Sequence, residues 1–115
     1  MFVSVLKSKV HGATVTGRNL DYEGSITVDE GLMDAAGFFT HEKVLVSDLT
    51  SGSRFETYVI PGKKGSGVVV VNGAAAHLVK DKDRVIIMSF ALASLDEAKT
   101  IKPKVIRVDA KNKPI

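Results

Sequence analysis

The sequence predicts a mainly β protein, a small closed barrel with a few short helices. Runs of β-branched or alternating residues recur along most of the chain, with turn residues between most of them. Residues 24–31 (GSITVDEG) and 65–73 (GSGVVVVNG) also echo each other as Gly-Ser, strand, Asx, Gly and short helix. Two such units could form halves of one barrel, because closure removes exposed strand edges.

Eight segments are predicted as strands from their β-branched content or alternation. They are residues 2–10, 12–17, 25–28, 43–49, 54–60, 67–71, 84–92 and 104–108. Residues 50–53 (TSGS) are expected to connect two strands as a hairpin, and residues 61–65 (PGKKG) to form a second turn.

Three short helical segments are predicted between these strands. One begins after Asp29, a suitable N-cap, and stops at Gly37. The second covers residues 74–79, and a further turn of helix covers residues 95–99.

Length and composition indicate one ordinary soluble domain. The chain has 115 residues, of which 44% are hydrophobic and 25% are charged. It contains no cysteine, which excludes disulfides, thiolate chemistry and sulfur-ligated metal. Without a signal core or an apolar run of membrane-spanning length, we expect a cytoplasmic location and no membrane partner.

The net charge of +3 belongs to the end of the chain. Residues 99–115 hold six basic residues and one acid, whereas residues 1–98 hold ten basic and twelve acidic residues. We therefore predict a barrel over residues 1–98 and a basic strand and solvated tail over 99–115 in the same domain, fraying at 111–115. Seven scattered aromatic residues do not form a stacking platform, so no nucleic-acid partner is expected.

Few residues suggest chemistry by themselves. The three histidines lack ligand spacing, so no metal site is predicted. In residues 54–58 (RFETY), strand alternation puts Arg54 and Tyr58 on one face and Thr57 on the other. Arg54 offers a planar fork for a carboxylate and Tyr58 offers a proton, although an exposed strand face would have the same pattern.

A Gly-Ser pair occurs three times, at residues 24–25, 52–53 and 65–66. All three are ordinary turn material. Composition and periodicity do not separate the first pair from the other two.

Four motifs in register give the first pair a different meaning. They are residues 9–11 (KVH), 22–25 (YEGS), 54–58 (RFETY) and 71–77 (VNGAAAH). Together they closely resemble the pyruvoyl-dependent aspartate 1-decarboxylase family, from about Met1 to Phe90, with the match expected to fade beyond that point. The resemblance implies a double-psi β-barrel, a homotetramer, and conversion of L-aspartate to β-alanine and CO2 for pantothenate synthesis.

The resemblance also implies self-cleavage between Gly24 and Ser25, giving a β chain of residues 1–24 and an α chain of 25–115. The Ser25 hydroxyl attacks the Gly24 carbonyl, and elimination and hydrolysis then leave a pyruvoyl group at position 25. This built-in cofactor forms a Schiff base with the substrate amine and accepts the electrons released with the α-carboxylate. Whether a helper protein assists maturation is left open.

Roles for the remaining site residues follow from the same resemblance. Tyr58 is expected to be the proton donor, and Arg54 to clamp one of the two substrate carboxylates. Thr57 is expected to contact substrate and assist the Gly24 carbonyl, which requires a bulge or a site shared between subunits because Thr57 faces the other way.

The other expected substrate-binding groups are the backbone N–H groups of Gly73, Ala74 and Ala75, with Asn72, Lys9 and His11 lining the site. Ser47 stands where some family members have a large aromatic residue. Two rival interpretations remain: a non-catalytic β-barrel acting as an interaction or oligomerisation module, and a nucleic-acid-binding barrel that uses the basic tail.

Overall fold

Eight strands carry much of the chain, as the alternation of apolar residues predicts. A computed structural model describes all 115 residues. The strands are β1 (Phe2–Thr14), β2 (Gly17–Asn19), β3 (Ser25–Asp29), β4 (Lys43–Asp48), β5 (Arg54–Gly62), β6 (Val69–Asn72), β7 (Arg84–Ser94) and β8 (Lys104–Arg107). The predicted mainly β class is confirmed.

The three predicted helical segments are present. Helix α1 (Glu30–Ala36) begins where the Asp29 side chain accepts a hydrogen bond from the Gly31 N–H, and it ends at Gly37 in the left-handed conformation. The second segment is a 3₁₀ helix (Gly73–Leu78). Helix α2 (Leu95–Thr100) begins with a capping box between Ser94 and Glu97.

The strands form one mixed sheet in the order β2-β6-β3-β5-β4-β7-β1-β8. In a flat sheet, β2 and β1 would lie six strand spacings apart, about 28 Å. The chain joins them through only residues 15 and 16, a link that spans roughly 10 Å when extended. The sheet must therefore curl until its two ends approach each other, as expected for a barrel-like fold.

A single core fills the inside of the curl. Nineteen buried hydrophobic residues form one cluster, and valine dominates it. On β4, for example, Val44 and Val46 are buried while Leu45 and Ser47 point to the opposite side. We call that opposite side of β5, β4, β7, β1 and β8 the outer sheet face.

The amino-terminal strands differ from the prediction of separate strands at 2–10 and 12–17. β1 is continuous to Thr14. In place of the expected break, its pairing with β7 has two register shifts, one of which lies at Gly12, where φ is +81°. β2 was not predicted, because its three residues have no alternation and become a strand by pairing with β6.

The prediction that residues 111–115 fray is wrong, although most residues of 99–115 are exposed, as expected of a solvated tail. Asn112 is 1% exposed, and its amide Nδ2 donates hydrogen bonds to Thr14 O and Gly67 O, both at 2.8 Å. Its Oδ1 accepts from Thr14 N at 2.7 Å. Val108 forms a β-bridge with Pro114, so the last residues are folded onto the barrel.

Candidate functional site

Ser25 begins β3 and is nearly enclosed. It is 2% exposed, and its Oγ accepts a hydrogen bond from Asn72 Nδ2 at 2.9 Å. Asn72 is the cross-strand partner of Ser25 on β6, and the same Nδ2 donates to Thr27 Oγ1 at 3.0 Å. The Ser25 hydroxyl is thus held in one position by a buried amide.

The peptide that precedes Ser25 packs closely against the start of the 3₁₀ helix. Gly73 has φ +75°, and a Cβ added to it would lie 2.7 Å from Gly24 Cα and 3.1 Å from Tyr22 O. Position 73 therefore has to be glycine for two reasons, backbone conformation and space. Gly24 itself has no atom within 4 Å of its would-be Cβ, so there is room beside the Gly24–Ser25 bond.

Tyr58 and Thr57 lie next to this bond on β5. β3 and β5 pair in parallel from Ile26 and Val59 onward. Extending this register by one residue puts Ser25 beside Tyr58, and extending it by two puts Gly24 beside Thr57. Tyr58 is 37% exposed, and its ring contacts His41 edge-to-face, with centroids 5.9 Å apart.

Thr57 does face away from Arg54 and Tyr58, as the alternation predicts. The pairing of β4 with β5 is continuous from Lys43–Tyr58 to Ser47–Arg54, so no bulge turns Thr57 toward them. The bulge offered from the sequence as an explanation is therefore not present in the β4–β5 pair.

Lys9, His11 and Arg54 lie on the outer sheet face, away from Ser25. Arg54 pairs with Ser47, Ser47 with Ile86, Ile86 with His11, and His11 with Arg107. We call these five residues the Arg54 row. Three strand spacings, about 14 Å, separate Arg54 from His11 along it.

Lys9 belongs to the next row of the same face, where it pairs with Met88 and Val105. Burial lowers the pKa of His11, and the positive charge of Arg107 lowers it further. Lys9 and Arg84 act in the same direction. His11 therefore sits among cations and favours its neutral form.

Ala74 and Ala75 follow Gly73 in the 3₁₀ helix, where Ala74 is exposed and Ala75 half-buried. The predicted residues thus fall into two groups. Ser25, Gly24, Asn72 and Gly73 come together around one peptide bond, with Tyr58 and Thr57 beside it by extension of the β3–β5 register and Ala74 and Ala75 following Gly73. Lys9, His11 and Arg54 spread over the outer sheet face, which Tyr58 shares with Arg54.

One residue of this region was not predicted. Thr27 shares the Asn72 amide with Ser25, and the signal was its position two residues along the same strand. Ser47, which the resemblance had singled out, is the cross-strand partner of Arg54.

The structure contains no cluster of three or more His, Asp or Glu side chains that could hold a metal ion. None of its helices reaches the length and hydrophobicity that crossing a membrane requires. Ser25 and Tyr58 line none of the chain's five surface cavities.

Comparison with known proteins gives one consistent result. Residues 1–115 match the aspartate decarboxylase family, so the expected fading beyond residue 90 is wrong. Aspartate 1-decarboxylase of Acetivibrio thermocellus is 56% identical over 115 residues, covering 100% of this chain and 91% of the relative. That of Porphyromonas gingivalis is 54% identical over 116 residues, covering 100% and 98%. That of Clostridium botulinum is 53% identical over 112 residues, covering 97% and 88%.

Proposed function

The chain belongs to the aspartate decarboxylase family and is a lyase that converts L-aspartate to β-alanine and CO2 in pantothenate synthesis, and we propose that it uses a pyruvoyl group made from its own Ser25. The observation that carries the proposal is the placement of a buried, amide-held serine hydroxyl directly after a glycine with free space beside it. An interaction module without catalysis is not favoured. A cytoplasmic location belongs to the same proposal.

The residues around position 25 fit a pyruvoyl group. A ketone oxygen can only accept hydrogen bonds, so it needs a donor when it is buried. Asn72 Nδ2 already donates to the Ser25 oxygen at 2.9 Å and would serve a carbonyl equally well. When formed, the group supplies an electron sink for the bond that breaks on loss of the substrate's α-carboxylate.

Self-cleavage begins from the Ser25 hydroxyl. Its Oγ forms a bond to the Gly24 carbonyl carbon as the Gly24–Ser25 C–N bond breaks, which leaves an ester and a free amine. Elimination of the Gly24 carboxylate and hydrolysis of the resulting enamine then release ammonia. Gly24 suits this rearrangement because it tolerates backbone conformations that other residues cannot adopt. Thr57, which falls beside Gly24 when the β3–β5 register is extended, would assist the reaction at the Gly24 carbonyl.

In the decarboxylation, Tyr58 would return a proton to the substrate carbon that loses CO2. Its position beside Ser25 in the β3–β5 register supports this role, because a proton donor must come within hydrogen-bond reach. The N–H groups of Gly73, Ala74 and Ala75 and the side chain of Asn72 would hold the substrate next to position 25. Arg54 would bind a carboxylate, and Lys9 and His11 would complete the polar lining. No metal is part of the proposal.

We extend the proposal to a homotetramer with sites shared between subunits. Side chains on the outside of a curled sheet diverge. Lys9 and His11 lie three strand spacings from Tyr58, and this distance of about 14 Å is far longer than an aspartate molecule. Ser25 also lines no cavity of the single chain. A second copy that packs its outer sheet face against Ser25 would enclose the substrate, and it would remove the difficulty with Thr57.

Intact mass of the protein isolated from cells tests the pyruvoyl proposal, with or without a helper protein. We expect two fragments, residues 1–24 and a blocked 25–115, and a single uncut chain for Ser25→Ala. Ser53→Ala is the matched control, because it removes the serine of another Gly-Ser pair and should leave cleavage intact. A wild-type chain that stays uncut while it releases CO2 from L-aspartate would contradict the proposal.

Tyr58→Phe separates the two chemical stages. Cleavage should proceed, but CO2 release should fall by about 100-fold, the usual effect of losing a general acid. Full turnover in this variant would show that another group supplies the proton.

A further inference from the structure

Ser47 and Arg54 share a cavity on the outer sheet face. They are direct cross-strand partners, so their Cα atoms lie about 5 Å apart and their side chains point the same way. Both line a cavity of about 400 Å³, whose other walls are Asp48, Leu49, Gly52, Ile86 and Met88. Arg54 and Ser47 therefore form one polar corner in a partly apolar pocket.

The Ser47 hydroxyl has no hydrogen-bond partner in the chain although its Oγ is buried. Leaving a buried hydroxyl unpaired costs about 1–3 kcal/mol, so such groups usually have a partner. Arg54, for its part, is exposed and takes part in none of the chain's salt bridges. A hydroxyl donor and a free guanidinium side by side suit an anion.

The charge balance of the cavity agrees with an anionic ligand. Asp48 is the only acidic residue in its wall. Burial raises the pKa of Asp48, and the neighbouring Asp83 carboxylate raises it further, which favours a neutral side chain. The positive charge of Arg54 is then not cancelled inside the pocket.

We propose that Ser47 is a further substrate-binding residue that, together with Arg54, binds the side-chain carboxylate of L-aspartate, the one that remains in β-alanine. The inference rests on the proposed function in that it takes Arg54 to be a substrate-binding residue. It adds Ser47 as a second donor, and it assigns the pair to one of the two carboxylates.

The chemistry of decarboxylation favours this assignment. The α-carboxylate gives up its negative charge as it becomes CO2, so a cation and a donor fixed on it would stabilise the ground state more than the transition state. The side-chain carboxylate keeps its charge throughout the reaction. Ser47 and Arg54 can hold it in substrate and transition state alike, which lowers KM without slowing turnover.

Ser47→Ala tests the proposal, because it removes the hydroxyl and leaves the pocket open. We expect KM for L-aspartate to rise about tenfold, as for a lost hydrogen bond to a charged group, with kcat changed less than about twofold. Inhibition by β-alanine, which lacks the α-carboxylate, should weaken by the same factor. Ser47→Thr should restore both values, and Ser53→Ala, which lies outside this cavity, should change neither.

Two results would overturn the proposal. An unchanged KM in Ser47→Ala would mean that the hydroxyl does not contact substrate. A raised KM with unchanged β-alanine inhibition would mean that the hydroxyl contacts the α-carboxylate instead.

Cleavage at Gly24–Ser25, followed by intact mass, should be complete in every variant. If the pyruvoyl proposal were wrong, the wild type would also stay uncut in the intact-mass measurement. That outcome is distinguishable from a failure of the Ser47 proposal, which leaves cleavage complete and changes only the KM result.

Discussion

Asp48, at the end of β4, has surroundings that raise the pKa of its carboxyl group and favour the neutral form. Its Oδ1 accepts hydrogen bonds from Thr50 N at 2.8 Å and Ser51 N at 3.1 Å. Its Oδ2 is buried with no donor beside it, and the carboxylate of Asp83 lies next to it. A proton on Oδ2 resolves this conflict, since Asp48 can then donate to Asp83. The hydrogen bond from Asp48 correspondingly lowers the pKa of Asp83.

This arrangement gives the free energy of unfolding a pH dependence. Because the pKa of Asp48 is raised in the folded chain, the folded chain releases this proton at a higher pH than the unfolded chain, whose aspartic acid has its ordinary pKa near 4. The folded state therefore binds more protons, and stability falls as pH rises from about 4 through the raised pKa of Asp48. The lowered pKa of Asp83 has the opposite effect, below pH 4.

Asp48→Asn should raise stability at alkaline pH. The asparagine oxygen can still accept from Thr50 and Ser51, and its amide donates to Asp83 without needing a proton. We expect about 1 kcal/mol of added stability at pH 8 and none near pH 4, measured by urea unfolding. Asp81→Asn, an exposed neighbour, is the control. A loss of stability at pH 8 would show that Asp48 is ionised in the folded chain.

The carboxyl-terminal segment acts as a structural element although it is neither helix nor strand. The buried Asn112 amide joins the end of β1 to the loop before β6 through three hydrogen bonds. Lys113 Nζ donates to Gly65 O and lies 3.9 Å from Asp29, whose carboxylate also accepts from three backbone N–H groups. The segment thus fastens β1, β3 and β6 to one another.

Asn112→Ala should therefore destabilise the chain by about 3 kcal/mol, because three hydrogen bonds are lost and their backbone partners are left buried. Urea unfolding in the uncleaved Ser25→Ala background measures this with a continuous chain. Lys111→Ala, whose side chain is exposed, should change stability by less than about 0.5 kcal/mol. Equal stability of the two variants would mean that the segment is incidental.

For the molecule as a whole, the separation of Lys9 and His11 from Ser25 is the property on which the proposed shared site depends. The two groups lie on strands at different places in the sheet order, and the curl turns them in different directions. Assembly is the step that brings them together in the proposed tetramer, so activity becomes a property of the contact between copies.

Mixed oligomers test this directly. Lys9→Ala copies retain Ser25, and Ser25→Ala copies retain Lys9, so each variant alone should be nearly inactive. Co-expressed in equal amounts, they should regain about a quarter of the wild-type CO2 release, because about one site in four then receives both intact residues. Activity no higher than the sum of the separate variants would place Lys9 and Ser25 in the same copy's site.

Local patterns predicted much of this fold, and long-range contacts explain what they missed. Alternation located β4 and β5 and put Arg54 and Tyr58 on one face. The burial of Asn112 was invisible, because its partner Thr14 lies 98 residues away. The same limit applies to Ser47, whose environment depends on the register of the β4–β5 pair and on Ile86 of β7.

The pairing of β1 also constrains the order of events if the chain cuts itself at Gly24–Ser25, as proposed. Residues 1–24 contain all of β1, which runs beside β7 from Phe2 to Thr14 and beside β8 as well. In an uncut chain, β1 reaches β7 at the high effective concentration that a tether provides. Once the tether is gone, an unfolded fragment must return from solution, and dilution works against it. Under the proposed self-cleavage, we therefore expect the sheet to be assembled before the bond is broken.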